Sequence, residues 1–208
     1  MTLPLFPLNA VLFPGTTIPL HLFEPRYRQL LADIREGDRR FGILCTIPGV
    51  PERELPRGRI GSVGEVTDID QLPDGRANIM VRGAGRFRLE QFVDAPTPYH
   101  QGIVEPVEDG PTTNPVALAV AADELATNFR RIIRAVDALR PEPGPSPRLS
   151  DHPVALAWEI AAMIDLDYDT RVELLTSTDA TARVTRLDGV LRKVLPELEL
   201  RAALHPGR

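Results

Sequence analysis

The sequence reads as an α+β protein: a small closed or nearly closed β-barrel carrying one helix over residues 1–110, then an α-helical bundle over 111–208. Three observations predict this. Short apolar segments separated by turn residues fill the first half. In the second half the apolar spacing becomes helical, through Leu118, Ala121 or Ala122, Leu125, Phe129, Ile132, Val136 and Leu139. Between them Glu108–Pro115, rich in Gly, Pro, Thr and Asp, is where the boundary falls.

The first thirty residues carry a dense apolar run interrupted by prolines: Leu3-Pro4-Leu5-Phe6-Pro7-Leu8, Val11-Leu12-Phe13-Pro14-Gly15 and Ile18-Pro19-Leu20. Proline has no N–H and cannot complete a central ladder, so this stretch predicts an edge strand with unpaired groups left over. Strands are expected at Thr17–Leu22 and Arg40–Ile47. A helix opens at Pro25, where the missing N–H costs nothing, with Glu24 as its cap and Tyr27, Leu30, Leu31 and Ile34 on one face. Gly37 is placed to end it in the left-handed conformation. Ile60–Leu72 is a long strand in which Gly61 and Gly64 mark a bulge or a close backbone approach. Asp74-Gly75 is a hairpin turn into Ala77–Val81. Gly83-Ala84-Gly85 reads as a β-corner before Arg86–Val93, and His100–Val107 completes the set.

In the second half, Arg140–Pro153 holds five prolines and Gly144, a stiff exposed connection. Pro153 opens a helix through about Ile164. Asp169 or Asp167 caps a shorter one carrying Val172, Leu174 and Leu175. Asp179 caps the last, whose inner side holds Val184, Leu187, Leu191, Val194, Leu195 and Leu198. Pro196 should kink or end that helix.

Composition narrows the function. The net charge is −5, spread evenly over both halves, which argues against nucleic-acid binding by counterion release. A single cysteine, Cys45 in an apolar run, excludes an internal disulfide and reads as a buried thiol. The N-terminus lacks the basic start of a signal peptide, and no apolar stretch approaches a membrane span, so a cytoplasmic protein is expected. The four histidines, His21, His100, His152 and His205, lack ligand spacing, so neither metal nor cofactor is expected. His21 reads as the outward residue of an alternating strand. Asp165, Asp167 and Asp169 lack the glycine and the glutamate of a calcium loop and read as helix caps.

The run LPLFPL…VLFPG…IPL followed by FEPRYRQLL resembles the N-terminal, substrate-binding domain of the Lon protease family, in a stand-alone form. Gly61–Val66 resembles that family's G-x-x-G-E-V strand, Leu72–Gly75 its hairpin turn, and Val81–Phe87 its V-x-G-x-x-R-F strand pair. The resemblance implies a PUA-like barrel that recognises unfolded or extended polypeptides, in protein quality control. The candidate peptide-binding residues are Leu5, Phe6, Phe13, Pro14, Leu20, Leu22, Phe23 and Tyr27, with Phe6 and Phe13 as a groove pair. Pro25, Gly64, Gly75 and Arg86 are assigned structural roles, and Arg86 is expected to anchor its corner through carbonyls or a carboxylate.

Catalysis is not expected. The chain has no G-x-x-x-x-G-K-[ST] loop, and its single lysine, Lys193, follows no glycine loop and has no serine close in sequence. An RNA-binding module using Arg26, Arg28, Arg39 and Arg40 is the alternative. An adaptor role through the helices, with a protease or chaperone as partner, is compatible with peptide binding. The oligomeric state is not legible.

Overall fold

The computed structural model describes residues 1–204; His205 lies outside them. The described chain is α+β and forms two compact units. The first holds Met1–Glu108 together with Asp165–Thr176; the second holds Asp109–Ile164 and the chain from Ser177.

The first unit contains six strands, β1 (Thr2–Leu8), β2 (Thr17–Leu22), β3 (Arg40–Cys45), β4 (Ile60–Gln71), β5 (Ala77–Val93) and β6 (His100–Val107), with helix α1 (Pro25–Arg35). The sheet order is β2-β5-β4-β3-β1-β6, and β5 also pairs with β6. That pairing closes β5, β4, β3, β1 and β6 into a ring, leaving β2 attached to β5 alone.

β5 makes closure possible by its length. Its first part pairs with β2 and β4, and from Arg86 to Val93 it pairs with β6. Gly83-Ala84-Gly85 therefore does not separate two strands. Gly64 lies opposite Gly83 and Val63 opposite Gly85, so Ala84 is bulged out and the strand bends without breaking. Gly64 sits at this irregularity, where a Cβ would stand 2.7 Å from Val81 Cγ1. Gly75 turns the hairpin at φ +82°.

The N-terminal strand is not the edge. β1 lies between β6 and β3, but it uses them in succession: Thr2–Leu5 pairs with β6 and Leu5–Leu8 with β3. Only Leu5 is flanked on both sides, which is how Pro4 and Pro7 are accommodated inside a closed sheet.

Two clusters fill the unit. One joins Phe6, Leu12, Leu22, Tyr27, Leu30, Phe41 and Val81. The other joins Leu3, Leu5, Leu44, Val63, Phe87, Leu89 and Val104. Pro25 occupies the first turn of α1 as expected, but Glu24 makes no side-chain cap bond; its carboxylate takes Arg26 Nε at 2.9 Å. Gly37 does not adopt the left-handed conformation, and the positive φ falls at Arg39.

The second unit holds α2 (Pro115–Ala138), α3 (Pro153–Met163) and α5 (Ala180–Leu204). The short α4 (Tyr168–Thr176), expected within the bundle, belongs to the first unit. Asp167 caps it, its Oδ1 accepting from Thr170 N at 2.8 Å, and Tyr168 donates its hydroxyl to Thr46 O at 2.9 Å. Arg86, buried, donates to the Leu175 carbonyl at 2.9 Å, so it fastens α4 onto the strands. The caps at Asn114 and Asp179 are formed. α5 continues to Leu204 past Pro196. Glu124 pairs with Arg192 and, two turns on along both helices, Arg131 pairs with Glu199, so α2 and α5 run parallel.

Candidate functional site: the open edge at β2

The apolar N-terminal residues separate by burial. Leu5, Phe6, Phe13, Leu22 and Tyr27 are core residues, Phe13 only 1% exposed. Phe6 and Phe13 thus pack the interior and do not form a groove pair; a Phe6→Ser/Phe13→Ser double variant would unfold the barrel before it tested binding. Tyr27 packs against Phe6 with the rings tilted and their centroids 3.9 Å apart, and the Arg26 guanidinium lies over the Tyr27 ring at 4.5 Å. Its hydroxyl has no hydrogen-bond partner among the described residues, and burial, with Glu52 nearby, pushes it well above the usual phenol range. Pro14 and Leu20 are half-buried, Leu20 leaning on the core. Phe23 alone of the candidates is well exposed, at 60%.

What surrounds Phe23 follows from strand alternation. In β2, Ile18, Leu20 and Leu22 turn inward while Thr17, Pro19 and His21 face out. Their partners on β5 are Arg82, Met80 and Asn78. The outer face thus has Pro19 beside Met80, which is 37% exposed, and His21 beside Asn78. His21 Nδ1 donates to Asn78 Oδ1 at 2.7 Å, and Asn78 Nδ2 donates to Asp70 Oδ2 at 3.2 Å, a polar row across three strands. The His21 and Phe23 rings lie nearly parallel, 6.1 Å apart. Pro19 and Met80, also on this outer face, were not among the candidates, although the period-two pattern of both strands was the signal that could have found them.

The backbone of this edge is equally informative. Gly15, at φ +78°, donates to Gly83 O at 2.8 Å, and Gly83 N donates to Thr16 O at 2.9 Å. This sets the phase of the ladder. Ile18, Leu20 and Leu22 exchange bonds with β5, so the polar groups of Thr17, Pro19 and His21 point away from the sheet. The edge presents three carbonyls and two N–H groups.

Beside it, a charged cluster fastens the start of α1. Arg26 donates to both Glu52 oxygens, at 2.6 and 3.1 Å, and His100 Nε2 donates to Glu52 Oε2 at 2.9 Å. Burial alone would raise the Glu52 carboxyl, but Arg26 and His100 outweigh it and hold the group below its usual value. A depressed folded-state value means the cluster stabilises above the ordinary glutamate pKa of ~4.3 and loses that contribution as pH falls through the folded value. Glu52→Gln should therefore flatten the acid limb of stability below about pH 4.3, read as melts between neutral and acid pH; an unchanged acid limb would refute this assignment. Of the four arginines weighed for RNA, two are paired with acids: Arg26 with Glu24 and Glu52, and Arg40 with Glu65 at 3.4 Å.

The second unit offers a groove of about 590 Å³ between α2 and α5, lined by Val120, Glu124, Asn128, Arg131, Arg192 and Leu195 among others. Several of its polar side chains bond along the seam: Asn128 Nδ2 donates to Asp188 at 2.7 Å, Arg192 to Glu124 at 2.7 Å, and Arg131 to Glu199 at 2.9 Å. It reads as a helix seam. Among the described residues no cluster of three or more His, Cys, Asp or Glu could hold a metal ion, and no helix is long and apolar enough to cross a membrane. Cys45 is buried and its thiol is pushed up by burial.

Comparison with known proteins decides the family. The model of the ATP-dependent protease La (LON) substrate-binding domain matches residues 2–193. The chain belongs to the LON substrate-binding domain family. Lon protease of Anaeromyxobacter dehalogenans is 28% identical over 191 residues, which is 88% of this chain and 22% of that protein. Lon protease 2 of Myxococcus xanthus matches to the same extent. The chain thus spans only 22% of the length of these relatives. The crystal structure of a Lon N-terminal domain protein from Xanthomonas campestris aligns with TM-score 0.65 and 28% identity, covering 90% of this chain and 96% of that one. The N-terminal domain of the Mycobacterium avium complex Lon protease aligns with TM-score 0.66 over 92% of this chain and 98% of that one; at 18% identity it speaks for the fold.

Proposed function

We propose that this LON substrate-binding domain is a non-catalytic module for extended, apolar stretches of unfolded polypeptide, and that they dock on the open edge of β2. The observation that carries the reading is the coincidence of unpaired backbone groups on Thr17, Pro19 and His21 with the exposed side chains of Phe23 and Met80. A strand laid on this edge gains main-chain bonds from β2 and apolar contact from the patch beside it, the two components of strand addition. The family's description as a substrate-binding domain supports a polypeptide ligand. A role in quality control follows, with captured clients passed to a protease or chaperone in trans.

The test is calorimetric titration of the full chain with a permanently unfolded model polypeptide. Phe23→Ser/Met80→Ser removes exposed apolar surface without touching the core. It should leave the melting temperature nearly unchanged and weaken binding about tenfold or more, the scale of one lost apolar anchor. Parental affinity in the folded double variant would sink this site.

A further inference from the structure

Pro19 occupies the centre of the open edge. Its neighbours Thr17 and His21 each offer a donor and an acceptor to an incoming strand, whereas Pro19 offers only its carbonyl. Its side chain is exposed and lies opposite Met80, extending the apolar patch. The proline therefore costs β5 nothing and withholds one bond from whatever arrives.

We propose that Pro19 sets the specificity of this edge, admitting a client strand while excluding β2 of a second copy of this chain. This rests on the reading of β2 as the client site. An antiparallel client strand centred on Pro19 loses a single hydrogen bond, the one its own carbonyl would have received from residue 19. Two copies of β2 meeting antiparallel about the same point set proline against proline, and both bonds of the central pair are lost. Each of the two carbonyls left there faces a proline nitrogen that carries no hydrogen, and an acceptor closed off without a partner costs more than the bond itself is worth. Edge strands are commonly protected against self-association by such residues. Here the protection is placed where it penalises the symmetric pair more than the asymmetric one, a discrimination by unmade contacts.

Pro19→Val and Pro19→Thr restore the N–H on β-forming residues at an exposed position. Both full-length variants, after a melt shows them folded, are titrated with the same unfolded polypeptide and sedimented over a range of concentration beside the parent. The inference expects client affinity about twofold to tenfold tighter, the worth of one net hydrogen bond, and a concentration-dependent association that the parent lacks. Parental affinity and parental sedimentation in both variants, with Phe23-sensitive binding intact in the parent, would overturn the role of Pro19 and leave the client site standing. Tighter client binding without new self-association would overturn the exclusion of a second copy. A parent that binds no polypeptide would remove the client site and this inference together.

Discussion

Arg183→Met should destabilise the helical unit by about 3 kcal/mol, the lower end of the cost of removing one partner of a buried ion pair, since the Asp109 side chain keeps partial exposure. The Arg183 side chain is 1% exposed. Its guanidinium donates to Asp109 Oδ1 at 2.9 Å and Oδ2 at 2.5 Å and to Ser177 O at 2.9 Å, and it lies 4.0 Å above the Trp158 ring. One side chain thus ties the segment entering the unit, α3, and the start of α5. Methionine keeps much of the apolar stem but takes the Arg183 guanidinium away from the Asp109 carboxylate. Urea unfolding followed by Trp158 fluorescence reads this unit directly, since Trp158 is the only tryptophan. Adding Asp109→Leu to Arg183→Met should recover a good part of the loss, because the desolvated charge is then gone. A melt unchanged by Arg183→Met would show that the pair contributes nothing net.

Phe87→Ala should destabilise the barrel by about 3–5 kcal/mol. The ring is fully buried among Leu3, Leu5, Leu44, Val63, Leu89 and Val104, and two glycines make room for it. A Cβ on Gly42 would stand 2.8 Å from Phe87 Cε1, and one on Gly61 2.6 Å from Phe87 Cζ and 2.5 Å from Ile43 O. Gly61→Ala should itself cost about 1–3 kcal/mol through overpacking. Shrinking the ring with Phe87→Leu should not rescue it. The Ile43 carbonyl still blocks the site, and Ile43 is held in register opposite Ser62. Rescue of Gly61→Ala by Phe87→Leu in thermal melts would show that the ring, not the backbone, sets the constraint.

The strands and helices were legible because each rests on local chemistry. Period-two alternation marked Thr17–Leu22 and Ala77–Val81, Asp74-Gly75 marked the hairpin, and Asp179 marked a cap. Less was legible where several residues compete for one local task. Arg39, not Gly37, takes the positive φ after α1. A proline inside a long helix proved tolerable: α5 is packed up to Leu195 and continues past Pro196, where Glu199 pairs with Arg131 of α2. The surface available for a candidate site was half legible. Phe23 was on the candidate surface and is exposed, whereas Phe6, Phe13 and Tyr27 have the same apolar character and lie inside.

By itself, then, the sequence determined the α+β class, the position of nearly every element, the family resemblance and the apolar face of α1, whereas Val194, expected on the inner side of α5, is exposed. These depend on spacing and on backbone preferences within a few residues. Only the tertiary structure decided that β5 closes the ring onto β6, that β1 is interior despite two prolines, that α4 joins the strands, and that the free edge is β2. Which edge remains open depends on pairings between segments far apart in the chain. Local alternation says which face of a strand is apolar, but not which neighbour covers its polar rim.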